Sequence, residues 1–154
     1  MTTSLYERGL ETVHDQVVGL VAQRWAKAFV CKVTIKGSIE HHSWASPEQS
    51  CDIVGWYVSS GGDTMEWMAE VETEASLSDP QIADQWMRTM TRGIPFYLLV
   101  PRGLKDSVQK LTQDASLVIS CIYEYIAAQD CPRWRVTVAI YPSEMIGVLS
   151  GVFN

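Results

Sequence analysis

The stretch from Cys51 to Glu74, CDIVGWYVSSGGDTMEWMAEVETE, constrains the fold more tightly than any other part of the sequence. Apolar and polar residues alternate on both sides of Ser59-Ser60-Gly61-Gly62-Asp63, the pattern of two strands joined by a turn. Yet Asp52, Glu66, Glu70 and Glu72 lie in or beside those strands. Charged residues are depleted there, and they are costly to bury unless paired or bound to a cation. Because side chains alternate across a strand, Glu66, Met68, Glu70 and Glu72 are expected on one face of the second strand. Trp67, Ala69 and Val71 take the other face, and on the first strand Asp52, Val54, Trp56 and Val58 belong together.

Register decides whether these acids meet. A loop of residues 60–62 places Ser59 opposite Asp63 and Asp52 opposite Glu70, and a loop of residues 59–63 gives the same register. A Gly61-Gly62 turn would instead set Asp52 against Val71 and turn it away from the glutamates. Gly61 and Gly62 can supply the left-handed residue that three-residue hairpin loops use, so the odd-numbered loop is preferred. Asp52, Glu70 and Glu72 would then crowd together, and like charges so close raise one another's pKa or force the strands apart. Mg²⁺ or Mn²⁺ would relieve that repulsion, since these ions prefer hard oxygen ligands completed by water and phosphate. Such an ion can polarise a phosphodiester and generate hydroxide near neutral pH. A solvated sheet face, with the glutamates outward and Trp67 and Val71 inward, accounts for the same alternation.

The flanking segments read as follows. Residues 4–28 form an amphipathic helix with Leu10, Val13, Val17, Leu20, Val21 and Trp25 on its apolar stripe. Phe29 to Lys36 alternates as a strand with one polar side, and a polar loop containing His41 and His42 leads into the hairpin. Ser78-Asp79-Pro80-Gln81 has the form of a helix start, with Ile82, Ala83, Trp86, Met87 and Met90 buried and Gly93 at the end. IPFYLLVP, residues 94–101, is apolar enough for a strand covered on both faces. A short helix is expected over 104–114, strands over 117–127 and 133–141, and a turn at Gln129-Asp130-Cys131-Pro132. One domain spanning residues 1–154 results: an α/β (α+β) fold with a mixed central sheet flanked by helices. The first three strands form an antiparallel meander, and a helical crossover leads to a parallel fourth.

An Asp on the second strand and Glu-x-Glu on the third, in α-β-β-β-α-β order, resembles the restriction-endonuclease-like, or PD-(D/E)xK, nuclease superfamily. The matching residues are Cys51-Asp52-Ile53-Val54-Gly55 and Ala69-Glu70-Val71-Glu72-Thr73, and the likeness covers residues 4–101. It implies Asp52 and Glu70 as ligands of Mg²⁺ or Mn²⁺, with the carbonyl of Val71 as a further ligand. Cys51 stands where the family has proline, and Glu72 where it has the lysine that activates water and stabilises charge. Three consequences of Glu72 are open: general base or second metal ligand, a basic residue moved elsewhere, or loss of catalysis. Lys36 and Arg88 are the candidates for a moved base, and Lys36, Gln81, Gln85 and Arg88 for substrate contacts. Glu7 and Glu11 lie one helical turn apart, where relatives sometimes carry site acids, but a solvated face explains them better.

Composition narrows the alternatives. The formal net charge of −6 argues against non-specific nucleic-acid binding through a broad basic surface, though not against an enzyme whose acids are neutralised by metal. Four cysteines without a Cys-x-x-Cys pair do not suggest zinc and are expected to be reduced thiols in a cytoplasmic protein. The N-terminus lacks an apolar signal core, and no apolar run is long enough to cross a bilayer. Serine-hydrolase elbows, phosphate-binding loops and dinucleotide fingerprints do not occur. The expected function is a metal-dependent nuclease acting on DNA, with RNA also open and a homodimer as a further expectation. Its rivals are an inactive nuclease-like module for protein interaction or assembly, and a small α/β domain with surface acids.

Overall fold

The computed structural model describes residues 5–36, 51–130 and 135–142, with side chains placed for residues 14–36 and 51–126. His41, His42, Cys131, Pro132 and the chain beyond Pro142 lie outside it, as do the side chains of Glu7 and Glu11. The elements are α1 (Leu5–Phe29), β1 (Lys32–Ile35), β2 (Ile53–Ser59), β3 (Gly62–Val71), α2 (Glu74–Leu77), α3 (Ile82–Thr89), β4 (Phe96–Pro101), α4 (Lys105–Asp114), β5 (Cys121–Asp130) and β6 (Arg135–Pro142). The strands form one sheet in sequential order. β1, β2 and β3 pair antiparallel, β3, β4 and β5 pair parallel, and β6 returns antiparallel. The expected meander, crossover and mixed sheet are all present.

Each face of the sheet is covered. Val17, Val18, Val21, Ala22 and Trp25 of α1 pack on Ile53, Trp67, Ala69, Val71, Leu99, Tyr123 and Tyr125. Fully burying one such apolar side chain contributes roughly 1.5–3 kcal/mol. Val54, Met68, Leu98, Val100 and Ile122 point to the other side, where Ile82 and Trp86 of α3 and Val108 of α4 cover them. β3 and β4 are therefore apolar on both sides over most of their paired length, as strands with helices above and below are, with Glu70 as the exception. The carboxylates belong to the α3 side: Glu70 and Glu72 continue the alternation that begins with Met68.

The hairpin reaches the expected register by a different route. Ser59 pairs with Gly62, so the turn holds two residues, Ser60 and Gly61, rather than three. Gly62 takes φ of +122°, a backbone conformation that favours glycine. A bulge then admits Glu66 as an extra residue: Trp56 pairs with Met65, but Gly55 pairs with Trp67. From there Ile53 lies opposite Ala69, the spacing that brings Asp52 beside Glu70. The bulge also breaks the alternation, so Glu66 is exposed and not one of the clustered acids. Trp67 lies across Gly55 so closely that a Cβ there would meet its Cε2 at 2.1 Å.

The helical crossover also departs from expectation. Thr73 caps an additional short helix, α2, accepting from the Ser76 N–H at 3.1 Å, while its own N–H donates to Ser76 Oγ at 2.8 Å. α3 follows without a side-chain bond from its capping residue Gln81; Asp79 instead accepts from the Gln81 N–H at 2.9 Å. The helix ends at Thr89, before Gly93. β5 runs on through Gln129 and Asp130, both expected in a turn.

Candidate functional site

The acids gather where β2 begins and β3 ends. The Lys36 N–H donates to the Asp52 carbonyl at 3.0 Å, which extends the β1–β2 pairing one step beyond Ile35 and Ile53. Continuing the β2–β3 register by the same step sets Asp52 beside Glu70. Directly opposed residues lie on the same side of a sheet, so Lys36, Asp52 and Glu70 form a row across three strands. Glu72 follows Glu70 on that side.

Asp52 is buried, 7% exposed, and its Oδ2 accepts from the Val71 N–H at 2.9 Å. His14, reaching down from α1, brings Nε2 to 3.2 Å from the same Oδ2 and 3.0 Å from the Val71 carbonyl oxygen. Its Nδ1 lies 3.2 Å from Asp15 Oδ1. The bond to Asp52 is the main reason the His14 pKa rises to about 9, against the opposing effect of burial. His14 is consequently an imidazolium at neutral pH, with both nitrogens donating. Burial works to raise the Asp52 pKa, but bonds from His14, Glu70 and Val71 outweigh it, and Asp52 titrates below its ordinary value.

Glu70 is driven the opposite way. Burial, then the charge of Asp52 and a hydrogen bond with it, push Glu70 well above the usual carboxylate range, so it holds a proton at neutral pH. Two carboxyl groups this close in a desolvated site do not both ionise. The Lys36 charge acts in the opposing sense on Glu70.

Glu72, 6% exposed, is held on both oxygens. Ser76 Oγ donates to Oε2 at 2.5 Å, and Trp86 Nε1 donates to Oε1 at 2.8 Å. Its carbonyl accepts from the Tyr125 hydroxyl at 2.6 Å. Burial raises the Glu72 pKa, and the Ser76 and Trp86 bonds work against that rise. Glu72 thus fastens α2 and α3 to the end of β3.

The structure brings Lys36, Asp52, Glu70, Val71 and Glu72 together. Gln81, Gln85 and Arg88 are exposed and engaged locally: Gln85 Nε2 donates to Asp79 Oδ2 at 3.0 Å, and Arg88 Nε to the Asp84 carbonyl at 3.2 Å. Two hollows of about 500 and 540 Å³ lie away from the acids, lined mainly by α4 and residues 117–122, and by residues 87–95 with 116–118. His14 is the site residue that the sequence reading passed over. Its signal was present: with Leu10, Val17, Val21 and Trp25 it occupies the three-and-four spacing of the apolar stripe of α1.

The donor set suits a hard divalent ion. Asp52 and Glu70 carboxylates and the Val71 carbonyl are oxygen donors of the kind Mg²⁺ and Mn²⁺ prefer. One of the two carboxyl groups keeps a proton that a cation could replace. Among the described residues no three His, Cys, Asp or Glu side chains stand close enough to hold an ion unaided. Water and a main-chain oxygen would have to complete the shell, as Mg²⁺ usually requires. No protein-family model, curated protein or solved structure matches the chain.

Proposed function

We propose that this protein is a metal-dependent nuclease that hydrolyses phosphodiester bonds in DNA, with RNA as the second choice of substrate. The observation that carries the reading is the Asp52–Glu70 pair, a buried acid beside a half-buried one at the end of a sheet of the expected order, with the Glu70 proton standing where a cation would serve. Asp52, Glu70 and the Val71 carbonyl would hold Mg²⁺ or Mn²⁺, and the ion would have to take the place of the His14 Nε2–H, which now lies against two of those oxygens. Bound there, the ion would supply Lewis-acid polarisation of the phosphodiester and a low-pKa water. The residues of the chain do the positioning: the Val71 N–H fixes the Asp52 carboxylate, and Ser76 and Trp86 fix the buried Glu72. No helix among the described residues is long and apolar enough to cross a membrane. The three described cysteines are free thiols, which suits the cytoplasm. A homodimer would provide the two sites needed to cut both strands of a duplex.

The second reading is a nuclease-like module without catalysis. It is favoured by Glu72, which stands at the family's lysine position with both oxygens engaged, and by His14, which already places a positive charge against Asp52 and the Val71 carbonyl. Mn²⁺ titration by calorimetry, together with cleavage assays on single- and double-stranded DNA, separates the two. The wild type is expected to bind Mn²⁺ below millimolar concentration and to cut DNA. Asp52→Ala, with its fold verified by circular dichroism, should lose both by tenfold or more. A wild type that binds no Mn²⁺ at millimolar concentration eliminates the catalytic reading and leaves the module.

A further inference from the structure

We propose that Lys36 is the catalytic cation of this site, the group whose ammonium stabilises the charge that builds on the phosphoryl oxygens during hydrolysis. The inference rests on the nuclease reading and assigns a role that the Glu-x-Glu motif leaves empty. A phosphodiester gains negative charge on its non-bridging oxygens as water attacks, and a preplaced positive group there lowers the barrier. Glu72 cannot provide it: it is an acid, and its two oxygens are taken by Ser76 and Trp86.

Lys36 is a basic residue whose strand position adjoins Asp52. It shares a sheet side with Asp52 and Glu70 by the pairing described above, with strands about 4.8 Å apart. A four-carbon stem covers that spacing, and the side chain is exposed, so its ammonium is accessible to a polymer arriving from solvent. Its charge reaches Glu70. The other candidates are placed differently. Lys32, on the same strand, pairs with Asp63 at 3.7 Å toward the hairpin tip, and Arg88 is exposed on α3 and bonded to the Asp84 carbonyl. Lys36 enters none of the ion pairs found among the described residues, which join His14 to Asp15 and Asp52 and Lys32 to Asp63.

Lys36 takes no part in the proton transfers. The water oxygen forms the new bond to phosphorus, the bond from phosphorus to the leaving sugar oxygen breaks, the proton lost by water passes to solvent, and solvent protonates the departing alkoxide. The ammonium holds the doubly charged phosphoryl oxygens between those events.

The test uses the full-length protein with saturating Mn²⁺ and a DNA substrate that the wild type cleaves. Lys36→Met keeps the length of the stem and removes the charge; Lys36→Arg restores a charge. Lys36→Met should lower kcat by about a hundredfold to a thousandfold, leave KM within about threefold and leave Mn²⁺ affinity unchanged, with Lys36→Arg recovering part of the rate. A Lys36→Met kcat within about threefold of wild type overturns the inference while the nuclease reading stands. So does a loss confined to KM, which would make Lys36 only a phosphate contact, or a loss of Mn²⁺ binding, which would make it a support of the acids. A wild type that cleaves no nucleic acid overturns the nuclease reading, and this assignment with it.

Discussion

Glu72 shows how a single residue's meaning changes once its neighbours are known. In the sequence it is the second acid of Glu-x-Glu. In the structure it is a buried anchor holding an indole N–H, a hydroxyl and, through its carbonyl, a tyrosine. Trp86→Phe keeps the ring in the core and removes the donor to Oε1. It leaves a buried carboxylate oxygen short of a partner, which costs about 1–3 kcal/mol. Urea denaturation should show that loss with the slope of the transition unchanged; stability equal to wild type would mean that the bond contributes nothing net. The acids of the site were legible because alternation fixes which residues share a face. Their partners were not: Ser76, Trp86 and Tyr125 meet Glu72 only through packing between helices and strands. His14 lies 38 residues from Asp52 and meets it only when α1 crosses the sheet.

The elements themselves were largely written in the sequence. α1, the meander, the crossover strand β4 and α4 follow from periodicity and turn chemistry, and the structure places them as expected. What periodicity could not show was the bulge at Glu66, because an inserted residue leaves polar and apolar letters alternating on both sides of it. α2 was missed for a related reason: four residues are too few for a 3.6-residue period to register, and Ser76 stands where a capping box ordinarily has Glu or Gln. Beside the bulge, Gly55 is required by contact, not by dihedral angle. Gly55→Ala would drive a methyl group into the Trp67 ring, and relief means moving a buried indole against Trp25 and Phe29. Overpacking of this kind costs typically 1–3 kcal/mol, about that much in a denaturation experiment, and altered near-ultraviolet circular dichroism should accompany it. An unperturbed Tm and spectrum would show that the hairpin can widen freely at this point.

At the scale of the whole molecule, the site makes stability depend on pH. His14 binds its proton more tightly folded than unfolded, with a pKa raised from 6.5 to about 9. Its stabilising contribution is therefore complete below pH 6.5 and is lost as pH rises through about 9. Glu70, also raised, acts in the same direction: the unfolded chain releases a proton that the folded site keeps. Asp52, lowered, contributes above its ordinary pKa and loses that contribution in acid. In EDTA the Tm is expected to fall by several degrees between pH 6.5 and 9, and His14→Gln should flatten part of the slope. A Tm that is constant or rises across this interval contradicts the protonation states assigned here.

The residue inserted at Glu66 has one more consequence. It separates two alignments that an uninterrupted ribbon would lock together, that of the hairpin tip and that of the acids at its base. With a two-residue turn and no insertion, Asp52 would face Ala69 and share its side of the sheet, Glu70 would lie on the other side, and the carboxyl pair would never assemble. One extra amino acid in an exposed arm thus acts as a gear tooth, advancing a distant pair of side chains into mesh. A chain could lengthen or shorten that arm in steps of two, and so reshape its outer surface, without disturbing the acid pair beneath.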